Sequence, residues 1–526
     1  MPNSITLPRD SNQALGIGQF ALDFLKGTLG PGPSELALER VRMFHTDALL
    51  CGFSALAMGT NAPTLLRTEA FEYPAKGRGA TVFGSGARVQ AEKAIAANSA
   101  AVREWDSNGT NFGYRPELGH AAGEFGHNDY YPVVVAACQE GGLDGATALR
   151  AMLLLDEIRG RLAEVFSLKS YKLDHVVHGA IASAATYGAL RGATADQIES
   201  AIGMFVAHYI PWRAIRAGKQ LSDSKGASAA ISAEAAVLCA KRAMRGFVGP
   251  RDVFRNPEAI FRFFEPTTQG PERWREAGDS PFDLVLTHSG DDFAVRGMHF
   301  KLGLYEHQSA GAIQGLLDLL VAHPSILEGG PEGIERMTIL AYEPAFGIIG
   351  NPAKMDPRTR QSADHSMAYI VATVLRKALE RGVALAGGGS NAEAWKDLML
   401  LPDDYAEEDS AIFHPLTRAL MAKIEFLHGG PEYDAKYPEG IPTSLVIRLK
   451  SGEAHDSGLV MFPAGHARNT AAPLADILRQ KWTRLGAIAF GSDAAAEEAI
   501  ERFESVAANS AEELDGLTQL PYLGSA

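Results

Sequence analysis

The chain has 526 residues, of which 46% are hydrophobic and 21% are charged, and its formal net charge at pH 7 is −14. No basic excess is present to neutralise phosphates, which excludes nucleic acid or an anionic membrane as a general partner, whereas a small acidic substrate needs only a local group of cations. No stretch approaches 18 uninterrupted apolar residues, and the first 13 residues show no signal or transit pattern, so we expect a cytoplasmic protein without a membrane span.

The chain is longer than one hydrophobic core usually supports, which predicts two domains. Residues from about 34 to 250 carry successive helix signals, and period-two patterns of strands begin beyond about residue 270. From Pro473 the pattern is helical again. The predicted fold is mainly α with an α+β second domain: a helical domain over 1–270, an inserted α+β domain over 271–465, and a segment over 466–526 that packs back on the helical domain.

Specific patterns support these assignments. A capping box is predicted at the start of one helix, and two sets of alternating apolar residues each predict one face of a strand, the second followed by a hairpin-like turn. The residues are Thr194 and Gln197 for the capping box, Met337, Ile339 and Ala341 for the first strand, Leu445, Ile447 and Leu449 for the second, and Ser451-Gly452 for the turn.

The first segment with the features of a site runs from Asp106 to Asp129. Asp106-Ser107-Asn108-Gly109-Thr110 and Gly126-His127-Asn128-Asp129 place carboxylates, hydroxyls and an imidazole between a helix predicted over 91–105 and another that begins behind Pro132. Loops held by a rigid scaffold often carry catalytic groups. The alternative is a solvated loop whose carboxylate caps a helix.

Two further segments lie in the helical region. Leu173-Asp174-His175-Val176-Val177-His178 places two imidazoles three residues apart at the start of an apolar helix, so they share a face. This spacing is compatible with a metal site, although no third ligand is close in sequence, and with histidines that fill the core or cap the helix. Lys225 precedes an Ala-rich helix over 227–244, where it either shares an anion with the backbone amides or is a surface lysine.

Two polar clusters precede helices of the second domain. Residues 301–308 combine a cation, a phenol, an acid, an imidazole and an amide before a helix over 310–321. Residues 358–369 join two guanidiniums to Asp364-His365 and to Tyr369 at the start of a helix over 366–379. Arginine is well suited to binding carboxylates, and so many polar types exceed what a helix cap requires. A solvated helix entry is the alternative at each cluster.

Some classes of cofactor are disfavoured. Cys51, Cys138 and Cys239 are scattered through apolar stretches and are expected to be reduced core residues. An iron–sulfur cluster or a structural zinc usually requires closely spaced cysteines. The chain also lacks a complete dinucleotide-binding fingerprint, a Walker lysine motif and a Gly-x-Ser-x-Gly elbow.

With these residues in view, the chain resembles the MmgE/PrpD family over nearly its whole length. The family's Phe-Lys followed by a histidine and a glutamine fits the 300–308 segment, and its lysine before the Ala-rich helix maps approximately on Lys225. One departure is His127-Asn128-Asp129, where family members often have His-Pro-Ser, so that an acid lies close to a site for a tricarboxylate. The matching motifs are Ala80 to Gly86, Ala94 to Ala101 leading into Trp105-Asp106, then Asp106, Thr110 and His127, Leu173 to Val176, Phe300-Lys301 with His307-Gln308, and Asp364 to Tyr369.

The resemblance implies a helical core domain carrying an α+β lid, a homodimer, and dehydration of 2-methylcitrate to 2-methyl-cis-aconitate, a step of propionate catabolism, without cofactor or metal. Removal of water from a hydroxy acid needs a base for the carbon-bound proton, an acid for the hydroxyl and cations for the carboxylates. The expected catalytic residues are Asp106, which orients a histidine or lysine, His127 or His175 as base or acid, and Tyr369, which protonates or orients the hydroxyl. The expected substrate-binding residues are Thr110, Lys225, Lys301, Gln308 and Arg360.

Several alternatives stay open at this point. Decarboxylation or epimerisation of a related polycarboxylate is the nearest one within the family. A metal-dependent hydrolase using His120, Glu124, His127 and Asp129 is a second alternative, and a non-catalytic helical interaction protein is a third.

Overall fold

The structure is a computed structural model that describes residues 3–216, 218–263, 278–382, 390–406 and 411–524. It is 56% helical and 10% strand, and its strands form small open sheets, so the predicted mainly α fold with a smaller α+β part is confirmed. The domain boundary predicted between residues 270 and 271 lies outside the described residues.

The described residues contain helices α1 to α22, and shorter 3₁₀ turns join several of them. The helices are α1 Gln13–Lys26, α2 Glu35–Ala57, α3 Asn61–Phe71, α4 Ala91–Arg103, α5 Tyr131–Gly141, α6 Gly145–Val165, α7 Val176–Leu190, α8 Ala195–His208, α9 Asp223–Gly226, α10 Ser228–Met244, α11 Ile260–Phe263, α12 Ala310–Ala322, α13 Ser325–Glu328, α14 Gly330–Gly333, α15 Arg360–Ala363, α16 Met367–Arg381, α17 Asn391–Asp397, α18 Pro415–Met421, α19 Pro431–Asp434, α20 Leu474–Phe490, α21 Asp493–Glu504 and α22 Ala511–Gly516.

The strands form one four-stranded sheet and three two-stranded pairings. The larger sheet has the order β10-β9-β7-β8, in which β7 and β8 are parallel and the other neighbours are antiparallel. The antiparallel pairs are β1 with β6, β2 with β3, and β4 with β5. The strands are β1 Ser4–Leu7, β2 Ala80–Thr81, β3 Arg88–Val89, β4 Thr110–Asn111, β5 Gly126–His127, β6 Leu284–Thr287, β7 Ile334–Ala341, β8 Ile424–His428, β9 Thr443–Leu449 and β10 Ala454–Asp456.

Local signals place the helix ends close to where the sequence predicts them. The helix predicted over 91–105 is α4, and α5 begins beside Pro132, whose missing N–H costs nothing at a helix start. The capping box at Thr194 and Gln197 is present in both directions at the start of α8. Small residues allow α7 to approach its neighbours closely, since an added Cβ on Gly179 would lie 2.0 Å from the ring of Tyr130.

The predicted strand faces are also confirmed. Met337, Ile339 and Ala341 are buried on one face of β7, and Leu445, Ile447 and Leu449 are buried on one face of β9. The turn at residues 451–452 joins β9 to β10, as predicted. Helix α12 packs on β9 and also contacts α16, and the backbone N–H of Glu306 donates to the carbonyl oxygen of Asp364 at 2.9 Å, so the two polar clusters at the entries of these helices are adjacent.

The C-terminal helices α20 and α21 pack against α2. One fully buried cation joins this interface to the polar loops: Lys481 Nζ in α20 lies 2.7 Å from Asp47 Oδ1 in α2, and it donates to the carbonyl oxygens of Ser107 (2.7 Å) and Lys301 (2.9 Å). A buried charge requires a partner and satisfied hydrogen bonds. These contacts therefore fix the 107 and 301 loops against the helical core.

Two other sequence-based expectations concern the core and the membrane. The three cysteines are free and buried, as predicted. Among the described helices, no single one is both long and apolar enough to span a membrane, although α2 and α3, which meet at 90°, together meet the length and composition requirement.

Candidate active site

Residues from seven separated parts of the chain line a small cleft, which we call the cleft below. They come from the end of α4, from β5 and the residue before it, from the start of α7, from the segment after α8, from the segment after β7, and from the polar segments before α12 and α16. A wider groove of about 820 Å³ beside Trp395 and Phe462 has no lining imidazole and one lining carboxylate, Asp318. The cleft is lined by Arg103, Asp106, Phe125, His127, His175, Arg213, Arg216, Leu221, Glu306, Gln308, Ile348, Lys354 and His365.

Asp106 is the centre of the charge network at the cleft. Its backbone has φ 51°, in the left-handed region that costs most residues about 1–3 kcal/mol but that Asp tolerates better. Its carboxylate pairs with Arg103 and Lys301, and its Oδ2 atom lies 3.4 Å from Lys225 Nζ and 3.2 Å from His365 Nδ1. Burial opposes its ionisation, but the neighbouring cations hold the pKa of this carboxyl well below its usual range. Asp106 is therefore an anion that positions other groups.

A second carboxylate, Asp364, extends the network. Its Oδ1 atom lies 2.8 Å from Lys225 Nζ and 2.7 Å from His365 Nδ1, and its Oδ2 atom lies 3.1 Å from Arg360 Nη1. Arg360 also binds Glu104 Oε1 at 2.6 Å and lies over the ring of Trp105. Arg360, predicted to bind substrate, is thus engaged by two carboxylates and does not line the cleft. Its contacts favour a positioning role.

Lys225 and Lys301 are both fully buried beside Asp106. Burial lowers the pKa of each ammonium, and the nearby aspartates oppose that shift. Lys301 Nζ also donates to the carbonyl oxygen of Asp106 at 2.8 Å. The approximate match of Lys225 to the family pattern therefore brings its side chain into the network, and the surface-lysine alternative is wrong.

The imidazoles of His127 and His175 are adjacent in the cleft, with ring centroids 4.9 Å apart. Burial, reinforced by nearby arginines and by Lys301 beside His127, places the pKa of both rings well below its ordinary value, so both are neutral near pH 7. His175 Nε2 lies 3.9 Å from Asp174 Oδ1, whose carboxylate is bound by Arg216. His127 Nδ1 is buried and has no hydrogen-bond partner among the described residues. Neutral imidazoles in a shared cleft are suited to proton abstraction.

Two cations that line the cleft have no carboxylate partner. Within the described residues, Arg213 forms no ion pair and its buried Nη1 atom has no hydrogen-bond partner. Lys354 Nζ donates to the carbonyl oxygen of Gly218 at 3.1 Å and likewise forms no ion pair in that part of the chain. Burial lowers the pKa of both side chains. These positive charges are free to bind an anionic ligand.

Among the remaining lining groups are one amide and three apolar side chains. Both side-chain amide atoms of Gln308 are buried without a hydrogen-bond partner among the described residues, so this predicted substrate contact can serve a ligand. Thr110 lies behind the cleft, where it pairs with His127 in the β4–β5 hairpin, and its hydroxyl has no described partner. Phe125, Leu221 and Ile348 form the apolar wall.

Tyr369 is not brought to the cleft. Its hydroxyl donates to the carbonyl oxygen of Asp404 at 2.5 Å, and its ring packs near Tyr405. The predicted role of Tyr369 in protonating or orienting a substrate hydroxyl therefore receives no support from its position, although Ser366 and Tyr369 begin α16 as the sequence pattern indicates.

We expect Tyr369→Phe to leave kcat within about threefold of the unmodified protein and to lower the free energy of unfolding by about 0.5–1.5 kcal/mol, because the buried hydrogen bond that is lost joins Tyr369 to Asp404 and neither residue lines the cleft. Steady-state kinetics and urea unfolding of the same preparation measure both quantities. A fall in kcat of a hundredfold or more at unchanged stability would instead show that the Tyr369 hydroxyl takes part in the reaction.

Two other polar candidates also belong to the core. His178 Nε2 donates to the carbonyl oxygen of Phe166 at 3.0 Å, which matches the core alternative for the second imidazole of the 173–178 segment. Asp129 is buried, accepts from Asn108 and lies 3.5 Å from Arg103 Nε, but does not line the cleft. The acid that replaces the family's serine is thus bound by Arg103 and Asn108 outside the cleft lining.

The metal-hydrolase alternative is contradicted at its four residues. Glu124 accepts from the backbone N–H of Lys169 at 2.6 Å, while His120 lies beside Glu164, and the set does not converge. One group in the described ranges, Asp106 with Asp364 and His365, has potential ligand atoms within 4.8 Å of one another. Arg103, Lys225, Lys301 and Arg360 already surround these two carboxylates, so a divalent cation there would add charge to a cationic cluster.

Sequence reasoning assigned no role to several cleft residues. Arg103 is the last residue of a helix whose sequence carries no sign of a site. Lys354 ends a short turn that begins after Asn351, and no polar motif surrounds it in the sequence. A usable signal was present in Arg213 and Arg216, which lie three residues apart after a helix end, since the guanidinium group is well suited to binding carboxylates. The polar lining residues without an assigned role are Arg103, Arg213, Arg216, Glu306, Lys354 and His365.

The chain is similar to several known proteins. Residues 24–271 match the family model described as the MmgE/PrpD N-terminal domain. The 2-methylcitrate dehydratase of Escherichia coli K12 is 25% identical over 458 residues, which cover 83% of each chain. That of Cupriavidus necator is 24% identical over 449 residues, covering 83% of this chain and 84% of its own. The alkylcitrate dehydratase phiI of a fungal species is 22% identical over 329 residues, or 61% of this chain and 58% of its own.

Proposed function

Because residues 24–271 of this chain belong to the MmgE/PrpD family as its N-terminal domain, we propose that the protein is a hydro-lyase that dehydrates 2-methylcitrate to 2-methyl-cis-aconitate. The relatives named as 2-methylcitrate and alkylcitrate dehydratases support this reaction class. The proposal includes a homodimeric assembly, as the family resemblance implies, which light scattering of the purified protein tests directly.

The observation that carries the proposal is that cations without an ion-pair partner and neutral imidazoles line one cleft. Arg213 and Lys354 offer positive charge that forms no ion pair with a carboxylate of the described residues, and His127 and His175 line the same cleft. A tricarboxylate needs such charges for binding, and they also stabilise the negative charge that develops beside a carboxylate when its α-proton is removed.

We assign proton abstraction to His127. Its ring is neutral near pH 7 and its Nδ1 atom has no competing partner in the described structure, whereas His175 lies next to the Asp174–Arg216 ion pair. A base without a competing hydrogen bond is available to the carbon-bound proton. Asp106, held by three cations, keeps Lys301 and His365 in place around the cleft.

The apolar wall supports an alkyl-substituted substrate. Phe125, Leu221 and Ile348 face the same space as the charged groups. A methyl group placed against such a wall is worth about 0.8 kcal/mol of burial for one carbon, which amounts to a few-fold preference over citrate. The order of preference expected from the cleft is therefore 2-methylcitrate over citrate.

We expect the purified protein to dehydrate 2-methylcitrate in the presence of a chelator, because the cations that would stabilise the developing charge are side chains. The product has a conjugated carbon–carbon double bond, so its appearance is followed by ultraviolet absorbance, with citrate and cis-aconitate assayed in parallel. Loss of turnover on chelation, with recovery on adding a divalent metal, would contradict the proposed mechanism. Release of carbon dioxide in place of the chromophore would assign the protein to decarboxylation.

A further inference from the structure

Glu306 has a well-defined position at the edge of the cleft. Its backbone N–H donates to the carbonyl oxygen of Asp364 at 2.9 Å, and its Oε2 atom accepts from the backbone N–H of Gln308 at 2.8 Å. The other carboxyl oxygen, Oε1, has no hydrogen-bond donor among the residues the structure describes, and the side chain lines the cleft. The carboxyl group is thus held at one oxygen and open to a ligand at the other.

The surroundings of Glu306 favour a protonated carboxyl group. Burial and the negative charge of Asp106 raise the pKa of Glu306 to about 7, and Lys301 and Arg103 oppose the shift. Two phenols, Tyr342 and Tyr437, also face it, and neither carries charge near neutral pH, since burial raises the pKa of both well above its ordinary value. A carboxylic acid with a pKa near the working pH is well matched to giving up a proton.

The histidines, the paired lysines and the central aspartate around the cleft are poor proton donors. The rings of His127, His175 and His365 are neutral near pH 7, because burial lowers the pKa of each, that of His365 to about 4. Lys225 and Lys301 are held by aspartates, and Asp106 is ionised. Elimination nevertheless requires a proton for the departing hydroxyl, since hydroxide is a poor leaving group.

Resting on the function proposed above, we propose that Glu306 is the general acid of the elimination and gives its carboxyl proton to the hydroxyl group that leaves. The neutral imidazole of His127 takes the proton from the carbon next to a carboxylate, and the electrons of that carbon–hydrogen bond form the carbon–carbon double bond. The carbon–oxygen bond breaks, and its electron pair stays on the oxygen, which takes the proton of Glu306 and departs as water. Transfer of one proton from the imidazolium to the Glu306 carboxylate restores both groups.

Glu306→Gln tests this assignment with little change in shape. The amide oxygen of glutamine can still accept from the N–H of Gln308, so the helix entry is preserved, whereas no acidic proton remains. We expect kcat to fall by about 10²–10⁴-fold. In the unmodified protein kcat should fall about tenfold per pH unit above the pKa of about 7, because the acid must be protonated to act, and this alkaline decline should be absent from the residual activity of Glu306→Gln.

Asp318→Asn is the matched control, because Asp318 is also a carboxyl group whose pKa is raised by burial but lies in the groove beside Trp395. It should keep both kcat and the alkaline decline. A folded Glu306→Gln protein that retains more than about a tenth of the activity with an unchanged pH profile would overturn the assignment. If the unmodified protein itself forms no conjugated product from 2-methylcitrate, the proposed function fails instead. In that case infrared difference spectra of the unmodified and Glu306→Gln proteins between pH 5 and 9 still show whether this carboxyl loses a proton near pH 7.

Discussion

Replacing His127 with asparagine is expected to lower kcat by about 10²–10⁴-fold while the fold survives, because asparagine keeps part of the size and hydrogen bonding of the imidazole but cannot take a proton. The ring lines the cleft, is neutral near pH 7 and has a buried Nδ1 atom without a described partner. The measurement is kcat alongside the melting temperature of the same protein. Because burial first, and then Arg103 and Lys301, lower the pKa of this base, the acidic decline of kcat in the unmodified protein should lie well below pH 6.5.

His178→Asn supplies the matched control. His178 is also a buried imidazole, in the helix that begins next to His175, but its Nε2 atom donates to the carbonyl oxygen of Phe166 away from the cleft. This variant should lose roughly 0.5–3 kcal/mol of stability and keep the turnover of the folded protein. A stable His127→Asn protein that retains more than about a tenth of the activity would exclude proton transfer by His127.

Asp106→Asn is expected to lower the free energy of unfolding by about 3–5 kcal/mol, because it leaves Arg103, Lys225 and Lys301 buried around a site that has lost its central charge. Asparagine tolerates the left-handed backbone at this position, so the loss reports the charge and not the conformation. Urea unfolding at pH 7 measures the effect, and turnover should be lost with it.

The pH dependence of the Asp106 contribution has a definite sign. The neighbouring cations hold its pKa in the folded protein well below that of the unfolded chain, about 3.9, so the stabilisation is complete above that value and is lost as the pH falls towards the folded value. The difference between the two proteins should therefore shrink below about pH 4. Asp283→Asn, at an exposed pair with Arg9, should cost less than about 1 kcal/mol. An equally small cost for Asp106→Asn would show that the buried cluster relaxes or takes up water.

Local chemistry explains why much of the fold was predictable. The strand faces of β7 and β9 follow from alternation of apolar side chains, and the start of α8 follows from two side chains three residues apart. Such patterns act over a few residues and need no knowledge of distant contacts. The same holds for the polar segments at 106–129 and 301–308, whose density of functional groups exceeds the needs of a helix end.

The rest of the site depends on contacts that no local pattern encodes. Arg213 and Lys354 are 141 positions apart in the sequence, and what distinguishes them is that neither forms an ion pair with a carboxylate of the described residues after folding. Tyr369 shows the converse case, because it lies in a matching motif but its hydroxyl donates to the carbonyl oxygen of Asp404. Arg360 likewise matches a carboxylate-binding pattern, but the carboxylates it binds are those of the protein itself. Sequence motifs thus identify the region of the site. Which side chains already have a partner within the protein follows only from the three-dimensional structure.

Lys481 has a consequence for how the protein is made. Its ammonium group donates hydrogen bonds to the carbonyl oxygens of Ser107 and Lys301. Its carboxylate partner, Asp47, is 434 positions away in the sequence. During synthesis Asp47 is translated early and Lys481 is translated late. Until α20 has left the ribosome, Asp47 and the carbonyl oxygens of the two loops lack the cation that they bind in the folded protein. Contacts between residues so far apart in the sequence also form slowly. A chain truncated before α20 should therefore remain open at the 107 and 301 loops and be a preferred substrate for chaperones and proteases.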